Sequence, residues 1–316
     1  MIRPNRRSTF LEAAPAAAIV LIALGRSTPA AAQACCGGGS LVSPIRLAPE
    51  EDLALAGQAR ARAVLGSFGS SGHYASAATE QDFEQDLAAS VRVTPRGQIG
   101  AVLPYLETRR IESGAGQWGS GIGDLASSAR YDFVRASEAL TWPGFGVLAG
   151  VLVPTGRGAG QGTNASSTNA TGTGTYNLTL GLEIDKAHGP FYGVVDAWVT
   201  YCFDLTITPP GAGNRAMTTS FPLQWTVLAL GGYVFDNQAA VAISANLLER
   251  GDDTLDGRLQ AGTVLRLSTV GLSGVLPLLD LWRLQGTAFG DIPISSLGRN
   301  EQGGVGLTVA LVRLWR

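Results

Sequence analysis

The stretch TYNLTLGLEIDKA (175–187) alternates without a slip. Tyr176, Leu178, Leu180, Leu182 and Ile184 are apolar, and Asn177, Thr179, Gly181, Glu183 and Asp185 stand between them. Successive side chains of a strand point to opposite faces, so this period predicts a β-strand with one greasy face and one polar face. The greasy face must meet either a protein core or lipid, and the rest of the chain decides between them.

The same pattern recurs at 52–65, 82–93, 98–106, 123–134, 144–154, 190–204, 222–236, 239–248, 258–267, 281–290 and 303–315, predicting twelve strands with fourteen as the alternative. Connections alternate in length. Those at 66–81, 107–122, 155–174, 205–221, 249–257 and 291–302 are long, whereas 94–97, 186–189 and 237–238 are short. Short turns on one side and long loops on the other mark an up-and-down barrel of the outer membrane. A Greek-key sandwich has no reason to keep that parity. The predicted class is therefore all-β: a transmembrane antiparallel up-and-down β-barrel. Aromatic residues near strand ends (Tyr131, Phe133, Tyr176, Phe191, Tyr233, Phe235 and Trp315) would form its interfacial girdles.

Composition agrees. Charged residues make up 15% and apolar ones 45%, yet after the N-terminus no run approaches the roughly 20 apolar residues of a membrane helix. The mature chain is neither basic nor equipped with an aromatic-basic motif, which excludes nucleic acid as a partner. At the N-terminus a basic start, an apolar stretch and the small-residue site Ala32-Gln33-Ala34 read as a secretory signal peptide. The expected organisation is a signal peptide at 1–34, a periplasmic segment at 35–51 able to act as a plug, and the barrel at 52–316. Cys35 follows the cleavage site, but Ala32 and Gln33 make a poor lipobox, so a reduced or casually oxidised Cys35-Cys36 tail is the plainer reading. The last strand alternates through Leu307, Val309, Leu311 and Trp315, in the manner of a barrel-assembly signal. Arg313 on its greasy side departs from that form.

Three stretches carry a family resemblance. SGIGDLASSARYDF (120–133), VLVPTGRGAGQG (151–162) and GTGTYNLTLGLEIDK (172–186), with PYLETRR (104–110) ahead of them, resemble the outer-membrane family named for the MetA pathway of phenol degradation. That resemblance covers about a third of the chain, from Pro104 to Phe203. It implies an outer-membrane channel related in style to transporters of fatty acids and aromatic hydrocarbons, inserted by the barrel-assembly machinery among outer-membrane lipids. It implies no particular solute and no oligomeric state.

The predicted lumen carries Arg60, Arg62, Glu84, Asp86, Arg92, Arg130, Asp132, Glu183, Asp185, Asp196, Arg258, Arg266 and Arg283. Such a mixed-charge lining would hold water and bias small solutes. The plainer reading of any one of these is an ion pair across neighbouring strands that fills the barrel. Trp198, Tyr192 and Cys202 share an inward face, as lumen packing or as a stacking surface for an aromatic solute. The loop 157–174, rich in Gly, Thr, Asn and Ser, lacks the Lys and following helix of a phosphate cradle and reads as a mobile external loop. Cys35, Cys36 and Cys202 would hold a soft metal only if the N-terminal segment rose into the lumen, and no metal or cofactor is expected. Ser–His catalysis needs an imidazole within reach of a hydroxyl. The two histidines, His73 and His188, are predicted at opposite ends of the barrel, so no enzyme is expected either. A closed structural or adhesive barrel is the alternative to a channel.

Overall fold

The computed structural model describes residues 45–112, 115–135, 141–158, 161–163, 167–207 and 216–316. The expected signal peptide, with Cys35 and Cys36, lies outside them. In chain order the strands are β1 (Leu53–Phe68), β2 (Tyr74–Thr94), β3 (Gly97–Glu112), β4 (Ala115–Ile122), β5 (Leu125–Val134) and β6 (Gly144–Val153). Then come β7 (Asn177–His188), β8 (Phe191–Cys202), β9 (Leu205–Ile207), β10 (Met217–Ser220), β11 (Gln224–Val234) and β12 (Ala240–Arg250). The last are β13 (Thr254–Leu255), β14 (Arg258–Leu259), β15 (Leu265–Leu279), β16 (Trp282–Asp291) and β17 (Gln302–Trp315).

Twelve of these close a ring. The order runs β1, β2, β3, β5, β6, β7, β8, β11, β12, β15, β16, β17, and β17 pairs back onto β1 from Leu53↔Trp315 to Ser67↔Gln302. Every pairing is antiparallel, so each strand finds partners on both sides and no sheet edge is left within the ring. β4 continues the line of β5 along the far half of β3. The pairings Tyr105↔Ile122 and Val102↔Ala126 show one extra residue between them, a bulge at Gly123–Asp124. The short strands β9, β10, β13 and β14 form a separate sheet at the long-loop end.

The opening strand has its answer. Leu180 on β7 is 60% exposed while Glu183 is 4% exposed, so the greasy side faces outward and the polar side inward. Outer aromatics gather at two levels. Tyr131, Phe133 and Phe145, and Phe191, Tyr233 and Phe235, pack mostly edge to face in chains with centroids 5.0–5.8 Å apart at the short-turn end. Tyr201 and Phe203 mark the other level. Arg313, the odd charge on the last strand, lies between the rings of Trp282 and Trp315 at 5.3 and 4.9 Å. A cation so placed near a strand end costs little on a lipid face.

Three boundaries differ from expectation. The connection expected at 66–81 is a tight turn, because β1 and β2 pair as far as Phe68↔Tyr74. That expected at 107–122 is mostly the β3–β4 hairpin, paired out to Glu112↔Ala115. The strand expected at 258–267 is broken. Asp256 and Gly257 adopt φ of 49° and 75°, an Asp-Gly hairpin turn that joins β13 to β14, and Gly262 at φ 90° turns the chain again. The barrel strand in that position is β15, which absorbs Pro277 beside a shift in register against β16.

Candidate functional site

The lumen is a polar surface built by strand register. On β1, β2 and β3, Gln58↔Asp86 and Arg60↔Glu84 stand directly opposite. Gln58 Nε2 donates to Asp86 at 2.6 Å, and Arg60 pairs with Glu84 at 3.2 Å. The ladder continues outward through Thr108–Asp82 at 3.1 Å and Arg110–Glu80 at 2.8 Å. Arg62 leans the other way, to Asp291 at 3.1 Å, where Thr269 Oγ1 and the Gly304 amide also donate. Arg60 further lies over the Phe289 ring at 4.9 Å.

A second cluster spans β5 to β8. Arg130 donates to Asp132 at 2.7 Å on its own strand and reaches across β6 to clamp Glu183 through both terminal nitrogens. The register explains the reach: Asp132, Gly146 and Glu183 stand in one row, and a Cβ on Gly146 would lie 3.0 Å from the Asp132 carboxylate. In the same row Asp196 on β8 faces Glu183 directly. Next along β7 and β8, Thr179 and Thr200 share a buried hydrogen bond of 2.8 Å. Trp198 lies on the same inner face of β8, beside Gly181 on β7, and reads as packing there.

Residues 45–52 lie inside the short-turn end. Leu47 is buried against Ala54, Ala56, Ala88, Val102, Val312 and Leu314, an apolar floor on the inner faces of β1, β2, β3 and β17. Polar contacts fix the segment around it. Gln98 accepts from the Leu47 amide at 3.0 Å and donates to the Ile45 carbonyl at 2.9 Å. Arg92 donates to the carbonyls of Leu47, Ala48 and Glu51. Glu51, fully buried, pairs with Arg283. Arg46 joins the second cluster, 2.9 Å from Glu183 and 2.7 Å from Asp185.

At the long-loop end a hydrogen-bonded knot gathers the three quoted motifs. Asp124 accepts from the amides of Gly156 and Thr173 and from the Thr173 hydroxyl. A Cβ on Gly172 would sit 2.2 Å from its carboxylate, so only glycine fits there. Thr171 ties Arg157 to Ile122, and Gly119 leaves room for the backbone of Thr168 and Asn169. Thr168, Asn169, Thr171 and Thr175 are buried. The described part of this loop is packed onto the inner side of β4, which corrects the expectation of a mobile loop.

Of the expected lumen residues, Arg60, Arg62, Glu84, Asp86, Arg92, Arg130, Asp132, Glu183, Asp185, Asp196, Trp198 and Arg283 point inward. Arg258 does not, because it is exposed in the β13–β14 hairpin. Arg266 does not either: it has the strand parity of the exposed Val270 and Leu272 and pairs with Glu249 at 2.8 Å. Both errors follow from the misplaced strand. Sequence reasoning missed Arg46, Glu51, Glu80, Asp82, Arg110 and Asp291. Glu80 and Asp82 continue the period of Glu84 and Asp86, so their signal was present. His73 and His188 are exposed at opposite ends. Among the described residues no group of His, Cys, Asp or Glu is placed to hold a metal ion.

No protein-family model matches the chain, and no curated protein matches it in sequence. Its architecture has a counterpart. The COG4313 outer membrane channel from Pseudomonas putida F1 superposes with a TM-score of 0.69 at 14% identity, over 86% of this chain and 100% of that one. The fold is that of an outer-membrane β-barrel. Closed, apolar outside and polar within, such a barrel belongs in the bacterial outer membrane, where lipid surrounds it. The beta domain of the Bordetella autotransporter BrkA is a looser likeness, with a TM-score of 0.47 at 10% identity over 84% of this chain and 100% of that one.

Proposed function

We propose that the barrel is a passive outer-membrane channel for small solutes of hydrophobic or aromatic character, with the N-terminal segment 35–51 as its plug. The observation that carries this reading is the lining of charged and polar ladders inside a closed lipid-facing wall, interrupted by the apolar floor on which Leu47 is seated. The solute class rests on the resemblance of the Asp124 knot motifs to the MetA-pathway family, and the channel role draws support from the similar Pseudomonas putida channel. Export by the signal peptide and insertion by the barrel-assembly machinery complete the same reading.

The test is single-channel conductance of the refolded mature protein in a planar bilayer, with and without residues 35–51. Discrete steps that enlarge on truncation support a plugged pore. Liposome uptake of aromatic acids, hydrocarbons and fatty acids then ranks the solutes. A closed structural barrel is the second reading, favoured by the burial of Leu47 and Glu51 within the lumen. It is the outcome if neither form conducts although both run as folded, heat-resistant bands.

A further inference from the structure

The row on β7 and β8 is crowded with carboxyl groups, and those of Glu183 and Asp196 hydrogen-bond each other. Glu183 and Asp196 stand directly opposite on one face, a pairing that a sheet avoids where both groups are charged, and Asp185 follows on the same inner face. Arg130 serves Glu183 and Asp132. The other cation comes from outside the wall: Arg46 brings its two terminal nitrogens to Glu183 and Asp185. Even so, one oxygen of Asp196 stays without a hydrogen-bond partner, in a side chain whose residue is only 6% exposed.

A surface with this surplus of acceptors and no metal-like convergence suits a flat cation with many donors. Arg46 is such a cation, and its side chain remains 39% exposed, unlike the acids it touches. We infer that Glu183, Asp185 and Asp196 form a binding site for guanidinium and ammonium groups of solutes, which Arg46 fills as a tethered competitor. A solute carrying such a group would displace Arg46 and loosen the N-terminal segment from the wall. The inference rests on the lumen being a solute path for its transport consequence alone, since the binding itself requires only the folded barrel.

The probe is methylguanidinium, titrated calorimetrically into the refolded full-length mature barrel. Arg46→Gln should bind it about tenfold more tightly than the wild type, the worth of roughly one charge-assisted hydrogen bond. Adding Asp196→Asn to that variant should return affinity to the wild-type level. Asp196 is the residue to change because it holds no ion pair on which folding depends, and Arg46→Lys, which keeps the charge, should behave as the wild type. Equal affinity in wild type and Arg46→Gln overturns the site, as does indifference to Asp196→Asn. In the bilayer, Arg46→Gln should shift the reversal potential toward cation selectivity, and methylguanidinium should then block the current. The expected calorimetry with no conductance in any variant would retain the binding site and remove the channel. Conductance without the calorimetric difference would do the reverse.

Discussion

Asp124 takes three donors from the 155–175 region onto one carboxylate. Asp124→Ala would strand those donors at a cost of about 1–3 kcal/mol each, not additive. We expect the barrel band to survive and the loop to become cleavable by protease, with the new site mapped by mass spectrometry. Gly172→Ala should do the same, since its Cβ would strike the same carboxylate. Glu301, just ahead of β17, gives a pH handle outside the strands. Burial pushes its carboxyl up from 4.5 to about 7, against the pull of Arg62. A carboxyl raised on folding contributes stability that is complete below pH 4.5 and is lost as pH rises through 7. The loss amounts to about 3 kcal/mol at most. Melting of the folded band should therefore fall between pH 5 and pH 8 in the wild type and stay flatter in Glu301→Gln.

At the level of elements, the ring is fastened by β1 meeting β17, and this seam can be tested directly. Ala59 stands opposite Val309. Paired residues of antiparallel strands lie about 4.5–5.5 Å apart, within the reach of a disulfide. With Cys35, Cys36 and Cys202 replaced by Ser, the pair Ala59→Cys and Val309→Cys should oxidise in the folded barrel. The denatured product should migrate as a closed loop, and an uncrosslinked product would contradict the register. Ring strands were legible wherever one face is lipid, because Leu178 through Ile184 or Leu307 through Leu311 admit only one register. They were not legible where the chain leaves the bilayer. There Asp256-Gly257 builds a small hairpin whose run of residues mimics a strand start, and β2 and β3 extend past the point where outward residues must be greasy. The lining was legible in the same measure. Arg60 through Arg130 follow from alternation, whereas Arg46 and Glu51 depend on a segment folding inward. The nearest hint was apolar residues at inward positions, Ala54, Ala56, Val312 and Leu314, which call for something greasy to cover them.

For the molecule as a whole, the conductance comparison with and without 35–51 and the methylguanidinium titration ask whether the interior is a path or a filling. The apolar floor predicts what truncation does to the fold: removing 35–51 bares Ala54, Ala56, Val312 and Leu314 to water and takes partners from Arg92, Gln98 and Arg283, but no hydrogen bond between ring strands is lost. The truncated ring should fold and merely melt earlier. The seam has a further consequence for how the chain comes together. Strands β1 and β17 lie at opposite ends of the barrel sequence, so their contact has the highest sequence separation in the protein and the largest loop-closure entropy. Assembly is therefore governed by its last step. Until β17 arrives, β1 holds an open edge, and a chain halted one strand short would be an open, self-adhesive ribbon rather than a smaller barrel.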